Sequence, residues 1–245
     1  MNADRRTQSL ARQLSAIIYK DSRMLFREPQ ILSTTLIPFM YAVIYSAIRT
    51  DVDTSMLIVT SLTLVMCPLF IQAVLIVMDK ETGELQALLR AGVPFERVLA
   101  GKSLLTCSVT LLSLFCSLLI MRIKSDEWLP LLWYTIPVLL TFMCLGTLLA
   151  FWYNSIQDVV LGRGFISFAL IMLILSPILI SFTTSPAIRL IYGFLPTGLV
   201  HSGMEKWRAG SDWGEQWTHW LICWAWTFGL FGITYRYFKR ERSRY

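Results

Sequence analysis

Residues 54–78, TSMLIVTSLTLVMCPLFIQAVLIVM, run for 25 positions without an Asp, Glu, Lys or Arg. A helix needs roughly 20 mostly apolar residues to cross the hydrocarbon core of a bilayer, so this stretch alone is long enough. Outward from it lie five more charge-free stretches, 31–48, 103–121, 129–153, 165–182 and 219–235. Together the six take up half of the 245 residues. They are continuously apolar rather than alternating, which suits helices that satisfy their own backbone groups and not the strands of a barrel. The expected fold class is therefore an all-α integral membrane protein with six transmembrane helices. The connections are too short to hold a separate soluble domain, so residues 1–245 read as one unit. A hydrophobic content of 55% and a mean hydropathy of +0.57 exclude an ordinary soluble domain.

Charge then orients the spans. With both termini inside, the cytoplasmic segments 1–30, 79–102, 154–164 and 236–245 hold 16 Lys and Arg, against 6 in the external segments 49–53, 122–128 and 183–218. Positive charge concentrates on the cytoplasmic side, so both termini are expected to be cytoplasmic. This distribution accounts for the net charge of +6 without nucleic acid as a partner. The first 30 residues contain six basic residues and no early apolar run, so a cleavable signal is not expected. The first span would serve as an uncleaved one. All five cysteines fall inside the spans and none forms a CxxC pair, which argues against a disulfide framework or a zinc site.

Residues 8–27 place Leu10, Leu14, Ile17, Ile18, Met24 and Leu25 at helical spacing, with Arg12, Lys20, Arg23 and Arg27 mostly elsewhere. That pattern predicts a basic amphipathic helix on the inner membrane surface, or else a flank that merely orients the first span. Asp21 falls near the apolar stripe and interrupts it. Segment 79–102, DKETGELQALLRAGVPFERVLAGK, is the longest cytoplasmic connection between spans. In it Leu85, Leu88 and Leu89 form one apolar edge on a short helix ended by Gly92-Val93-Pro94. That edge needs a cover, either the membrane surface or a partner protein. The loop 154–164, NSIQDVVLGRG, is a turn or a second cytosolic contact. Between spans five and six, the 14 residues AIRLIYGFLPTGLV (187–200) are too few to cross and carry Gly193, Pro196 and Gly198. They predict an external re-entrant or interfacial hairpin within 183–218. Trp207, Trp213 and Trp217 follow, and with Trp128, Trp133 and Trp220 they form an aromatic belt or a substrate-stacking surface.

Chemistry within the chain finds little support. Gly101-Lys102-Ser103 resembles the end of a P-loop, but the glycine required at 96 is Glu96 and a span follows. The spans hold no ionisable group except His219, at a span end, which disfavours proton coupling. No HExxH or GxSxG occurs, and His201 and Ser202 are adjacent neighbours, so neither catalytic nor metal residues are expected. Energy must then come from outside the spans.

At segment 79–102 the chain resembles the type-2 ABC exporter permease family, whose loop between spans two and three is similar to R-E-x-G-T-L-E-x-L-L, a Pro-containing turn and L-G-K. Lys80, Glu81, Gly83, Leu85, Leu88, Leu89, Pro94, Gly101 and Lys102 stand at corresponding places, while Glu84 and Gln86 depart. Arg27-Glu28-Pro29 resembles the family's step into span one, and residues 174–203 its broken hairpin before the last span. The resemblance implies a six-span permease in a prokaryotic plasma membrane, paired with a second, identical or related permease subunit. It implies two separately encoded ATPases that bind ATP and Mg, with no cofactor in this chain. It implies a coupling joint at Glu81, Gly83, Leu85, Leu88 and Leu89, and an interfacial helix with Arg23 and Arg27. Export of an apolar or amphipathic substrate is the expected activity; a non-transporting scaffold or receptor and an ion channel are the rivals.

Overall fold

The 54–78 stretch lies inside a longer helix, Val52–Glu81 (α3), of 30 residues. At about 1.5 Å per residue it is roughly 45 Å long, well beyond the roughly 30 Å of hydrocarbon. The charges that bound the apolar stretch, Asp79, Lys80 and Glu81, are thus part of the helix. A computed structural model describes residues 15–25, 27–48, 52–159, 193–210 and 213–242. The expected span 165–182 lies outside the described residues.

Before α3 come a helix over 15–25 (α1) and Pro29–Ile48 (α2). A turn at Arg27-Glu28 separates them, and Pro29 opens α2 where its missing N–H costs nothing. After α3 come Glu84–Arg90 (α4), Phe95–Ile120 (α5), a short 3₁₀ turn Ser125–Glu127 and Trp128–Trp152 (α6). Beyond the undescribed segment lie Pro196–Arg208 (α7) and Trp213–Arg242 (α8). Among the described residues there are helices and no strands. Four of them, α2, α3, α5 and α6, are long and apolar enough to cross a membrane. α8 contains the 219–235 stretch but is not among those four, because its indole and phenol side chains make it less apolar.

α3 is the axis. It is almost wholly enclosed, with α2, α5 and α6 packed around it, while α8 lies against α6 and α7 against both α6 and α8. Lipid-like exposure falls on the outer helices, at Leu36, Met40 and Ile44 of α2, and at Leu104, Leu112 and Phe115 of α5. Without a hydrophobic drive between helices in lipid, close packing must come from small residues and interhelical hydrogen bonds. Both are present. The Thr34 carbonyl, which Pro38 leaves without its helical donor, is met by the Cys67 thiol at 3.8 Å. Thr227 of α8 donates to the Pro137 carbonyl of α6 at 2.8 Å and lies 3.0 Å from Thr141 Oγ1.

α6 lies close against α3 at Gly146, where an added Cβ would collide with the Leu69 carbonyl and stand 3.1 Å from Gln72 Cβ. Backbone on a packed helix cannot swing aside. Gly146→Ala is therefore expected to force the two helices apart and to cost about 1–3 kcal/mol. Thermal unfolding of the detergent-solubilised protein reads this; an unaltered midpoint would mean the helices are not in contact at this point.

Candidate functional site

α4 is held in place by its ends and its underside. Gly83, just before it, has φ 74° and Gly92, just after it, φ 79°, left-handed values that suit glycine. The Gly92 and Val93 amides close the helix on the Leu89 and Leu88 carbonyls at 3.0 and 3.1 Å. Underneath, Leu85 is 1% exposed and packs with Ile17 of α1, Phe95 and Val98 of α5 and Phe238 of α8. Leu88 and Leu89 are half-buried at the margin of that cluster. The apolar edge thus has its cover from this chain, and Leu85 in particular is not presented outward. The opposite face exposes Gln86, Ala87 and Arg90. Glu81 is exposed and accepts a hydrogen bond from the Ile156 amide at 3.0 Å, tying the end of α3 to the segment after α6. Lys80 reaches the Ala150 carbonyl at 2.7 Å. Arg23 stacks over the Tyr19 ring at 5.5 Å, and Arg27 stands in the turn between α1 and α2.

Between α4 and the helix bundle sits an ionic cluster that the sequence pattern did not reveal. Lys102 of α5 is buried, its Nζ 3.1 Å from Asp21 Oδ2 of α1 and 2.7 Å from Asp79 Oδ2 of α3. It also donates to the Leu75 carbonyl at 2.9 Å. The contact with Asp79 is ionic rather than a directed hydrogen bond. Asp21 and Asp79 are as buried as Lys102. Lys20, one-third exposed, donates to Asp79 Oδ1 at 2.8 Å, lies 3.5 Å from Asp21 Oδ1, and hydrogen-bonds Glu84, the first residue of α4. Burial pushes the Asp21 carboxyl above the usual carboxylate range, against the opposing pull of Lys102 and Lys20. Burial works against the Lys20 ammonium, but its hydrogen bonds to Asp79 and Glu84 prevail and hold its pKa above the ordinary value. The glycine-lysine-serine triplet is therefore no phosphate cradle: it lies within α5, and its lysine is occupied by carboxylates.

Two turns deeper, Gln72 of α3 accepts from Thr106 at 2.8 Å and donates to Ser103 at 3.1 Å and Thr147 at 3.4 Å. At the far end of the bundle, Pro196 opens α7 and Gly198 lies within it, while Gly193 precedes it. Gly203 sits against the Tyr134 ring, and Arg208 pairs with Glu127 at 2.7 Å. Trp133 stacks on Trp220 at 4.9 Å with Trp217 edge-on to both. An apolar cavity of about 350 Å³ opens beside them, lined by Leu129, Pro130, Trp133, Tyr134, Trp207, Gln216 and Trp217. Burial lowers the pKa of His201, although its Nε2 lies 3.3 Å from Glu205. Among the described residues no group of His, Cys, Asp and Glu could hold a metal ion.

Residues 45–236 match the model of a family described as ABC-2 family transporter protein. That interval covers most of the chain. This protein belongs to the ABC-2 transporter family. No curated protein and no solved structure gives a match. As an ABC-2 transporter permease it is a multi-pass membrane protein and the membrane component of an ABC transporter, a family that implies ABC ATPase partners. The matched interval contains α4, Asp79, Glu84 and Lys102, whereas Lys20 and Asp21 of α1 precede it. The burial and mutual pairing of three charged residues of this permease, Asp21, Asp79 and Lys102, escaped sequence reasoning. The available signals were an aspartate on an apolar helix stripe and two charges abutting charge-free stretches.

Proposed function

We propose that the chain is the permease subunit of an ATP-driven exporter that moves an apolar or amphipathic substrate outward across a prokaryotic plasma membrane. In this reading it spans the membrane six times with both termini cytoplasmic. It pairs with a second, identical or related permease, and two separately encoded ATPases bind ATP and Mg. The subunit itself hydrolyses nothing. The observation that supports the reading is α4: a short helix fixed from beneath by Leu85 and bracketed by two left-handed glycines, with Gln86, Ala87 and Arg90 left exposed. A helix seated on the bundle with one face left open is what a joint to a separate protein requires. Within that joint Leu88 and Leu89 form the rim, Glu81 and Gly83 set the approach, and Leu85 anchors.

The double variant Ala87→Glu, Arg90→Glu tests this. Recovery of an ATP-binding subunit with the affinity-purified permease is expected to fall at least about tenfold, the scale of one lost contact cluster, while thermal stability is retained. Undiminished recovery would overturn the assignment of α4. A conductance in reconstituted bilayers without ATP would favour a channel instead.

A further inference from the structure

We infer that Lys20 is a positioning residue that links α4 to the bundle, so that displacement of α4 is passed to α1 through the ionic cluster. The inference rests on the reading of α4 as the ATPase-contacting helix. It is carried by the arrangement of charges. Lys102, Asp21 and Asp79 are buried and join α5, α1 and α3 at one point. Such a buried, mutually paired group resists being opened, because each ion left alone would face a large desolvation cost. Lys20 and Glu84 differ: they are 34% and 42% exposed. Water screens that pair and can replace it, so it is the arm that can part and re-form at little cost. Lys20 therefore has one fixed side, the Asp79 and Asp21 carboxylates, and one releasable side, the Glu84 carboxylate on the first turn of α4. Glu84 also follows the left-handed Gly83 and opens α4, so it stands where α4 meets the end of α3.

Apolar packing under Leu85 holds α4 down but is non-directional. The Lys20–Glu84 pair adds direction. A displacement of α4 that draws Glu84 away unloads Lys20, and Lys20 sits beside Asp21, whose partner Lys102 lies on α5 and also contacts Asp79 of α3. Motion of α4 would thus register first in α1.

The test uses the purified permease–ATPase complex in nanodiscs, with deuterium exchange followed in α1 and α4 before and after trapping the ATPases with Mg-ATP and vanadate. Wild type is expected to respond in both helices. Glu84→Gln should keep the α4 response and reduce that of α1 about threefold, the scale of one partly exposed ion pair. Lys20→Met should do the same, and Lys20→Arg should restore the response. An α1 response unchanged by Glu84→Gln, or absent in Lys20→Arg, would overturn the link. If no ATPase accompanies wild type, the functional reading fails by itself. The link is then read in the permease alone: Glu84→Gln should speed exchange in α1 about threefold and leave α5 unchanged, and equal exchange in α1 would refute it.

Discussion

Lys102→Met is expected to reduce the stability of the permease by about 3–5 kcal/mol, the cost of removing one partner from a buried ionic group. Methionine matches the length of the lysine stem, so packing is largely kept and the effect is one of charge. Without the ammonium, Asp21 retains only a 3.5 Å contact to Lys20, and the Leu75 carbonyl loses its extra donor. Asp79 fares better, because Lys20 still donates to it at 2.8 Å. Two consequences separate this account from simple loss of packing. First, Asp21→Asn in the Lys102→Met background should recover more stability than Asp79→Asn does. Second, the defect should shrink on acidification. Burial already raises the Asp21 pKa, and loss of Lys102 removes an opposing influence. A carboxyl whose folded pKa lies above its unfolded value binds more protons when folded, so stability rises as pH falls through the folded value. Thermal midpoints of the detergent-solubilised variants at acidic and mildly alkaline pH measure both. A Lys102→Met protein as stable as wild type at every pH would show that the cluster is not closed to water.

Leu85→Asp comes second, with an expected loss of more than about 4 kcal/mol, in the range reserved for an unpaired charge placed in a core. The site is fully enclosed by Ile17, Phe95, Val98 and Phe238, and no cation among those neighbours could pair with the new carboxylate. Leu88→Asp, at a half-buried position on the same edge, is expected to cost under about 1.5 kcal/mol. The contrast has a practical side. A Leu85 variant that fails to recover an ATPase would report collapse of four packed helices, not loss of a contact surface. Fluorescence-detected size exclusion of the tagged protein reads it, and a monodisperse Leu85→Asp peak at wild-type temperature would mean that α4 is peeled away from the bundle in solution.

Much of the membrane architecture was legible from charge alone, because the cost of a bare charge in hydrocarbon keeps Asp, Glu, Lys and Arg out of the apolar part of a span. α2, α3, α5 and α6 follow from it directly. The same reasoning set the helix limits too narrowly. α3 and α5 run on past their apolar stretches, which brings Asp79 and Lys102 onto helices rather than into a loop. A charge at a stretch border reads as solvated until a partner from another element is known, and here the partner, Asp21, comes from α1. Its place on an apolar stripe was the visible clue, and it read as a flaw in an amphipathic helix. Leu85 illustrates the same gap from the apolar side. Periodicity says that a leucine edge will be covered but not by what. Its cover comes from Ile17 and Phe238, near opposite ends of the chain, a pairing that only the three-dimensional fold can express.

The enclosed position of α3 also constrains how the protein can be made. Thr60, Ser61, Thr63 and Gln72 are all buried within the bundle, and the side chains that satisfy Gln72 belong to Ser103, Thr106 and Thr147. Every one of those partners lies later in the chain. During synthesis α3 therefore enters the bilayer before its Gln72 amide can be answered. It has to wait beside lipid or the insertion machinery until α5 and then α6 arrive. The helix at the centre of the finished permease is, for a time, its least protected one, and its successors complete it.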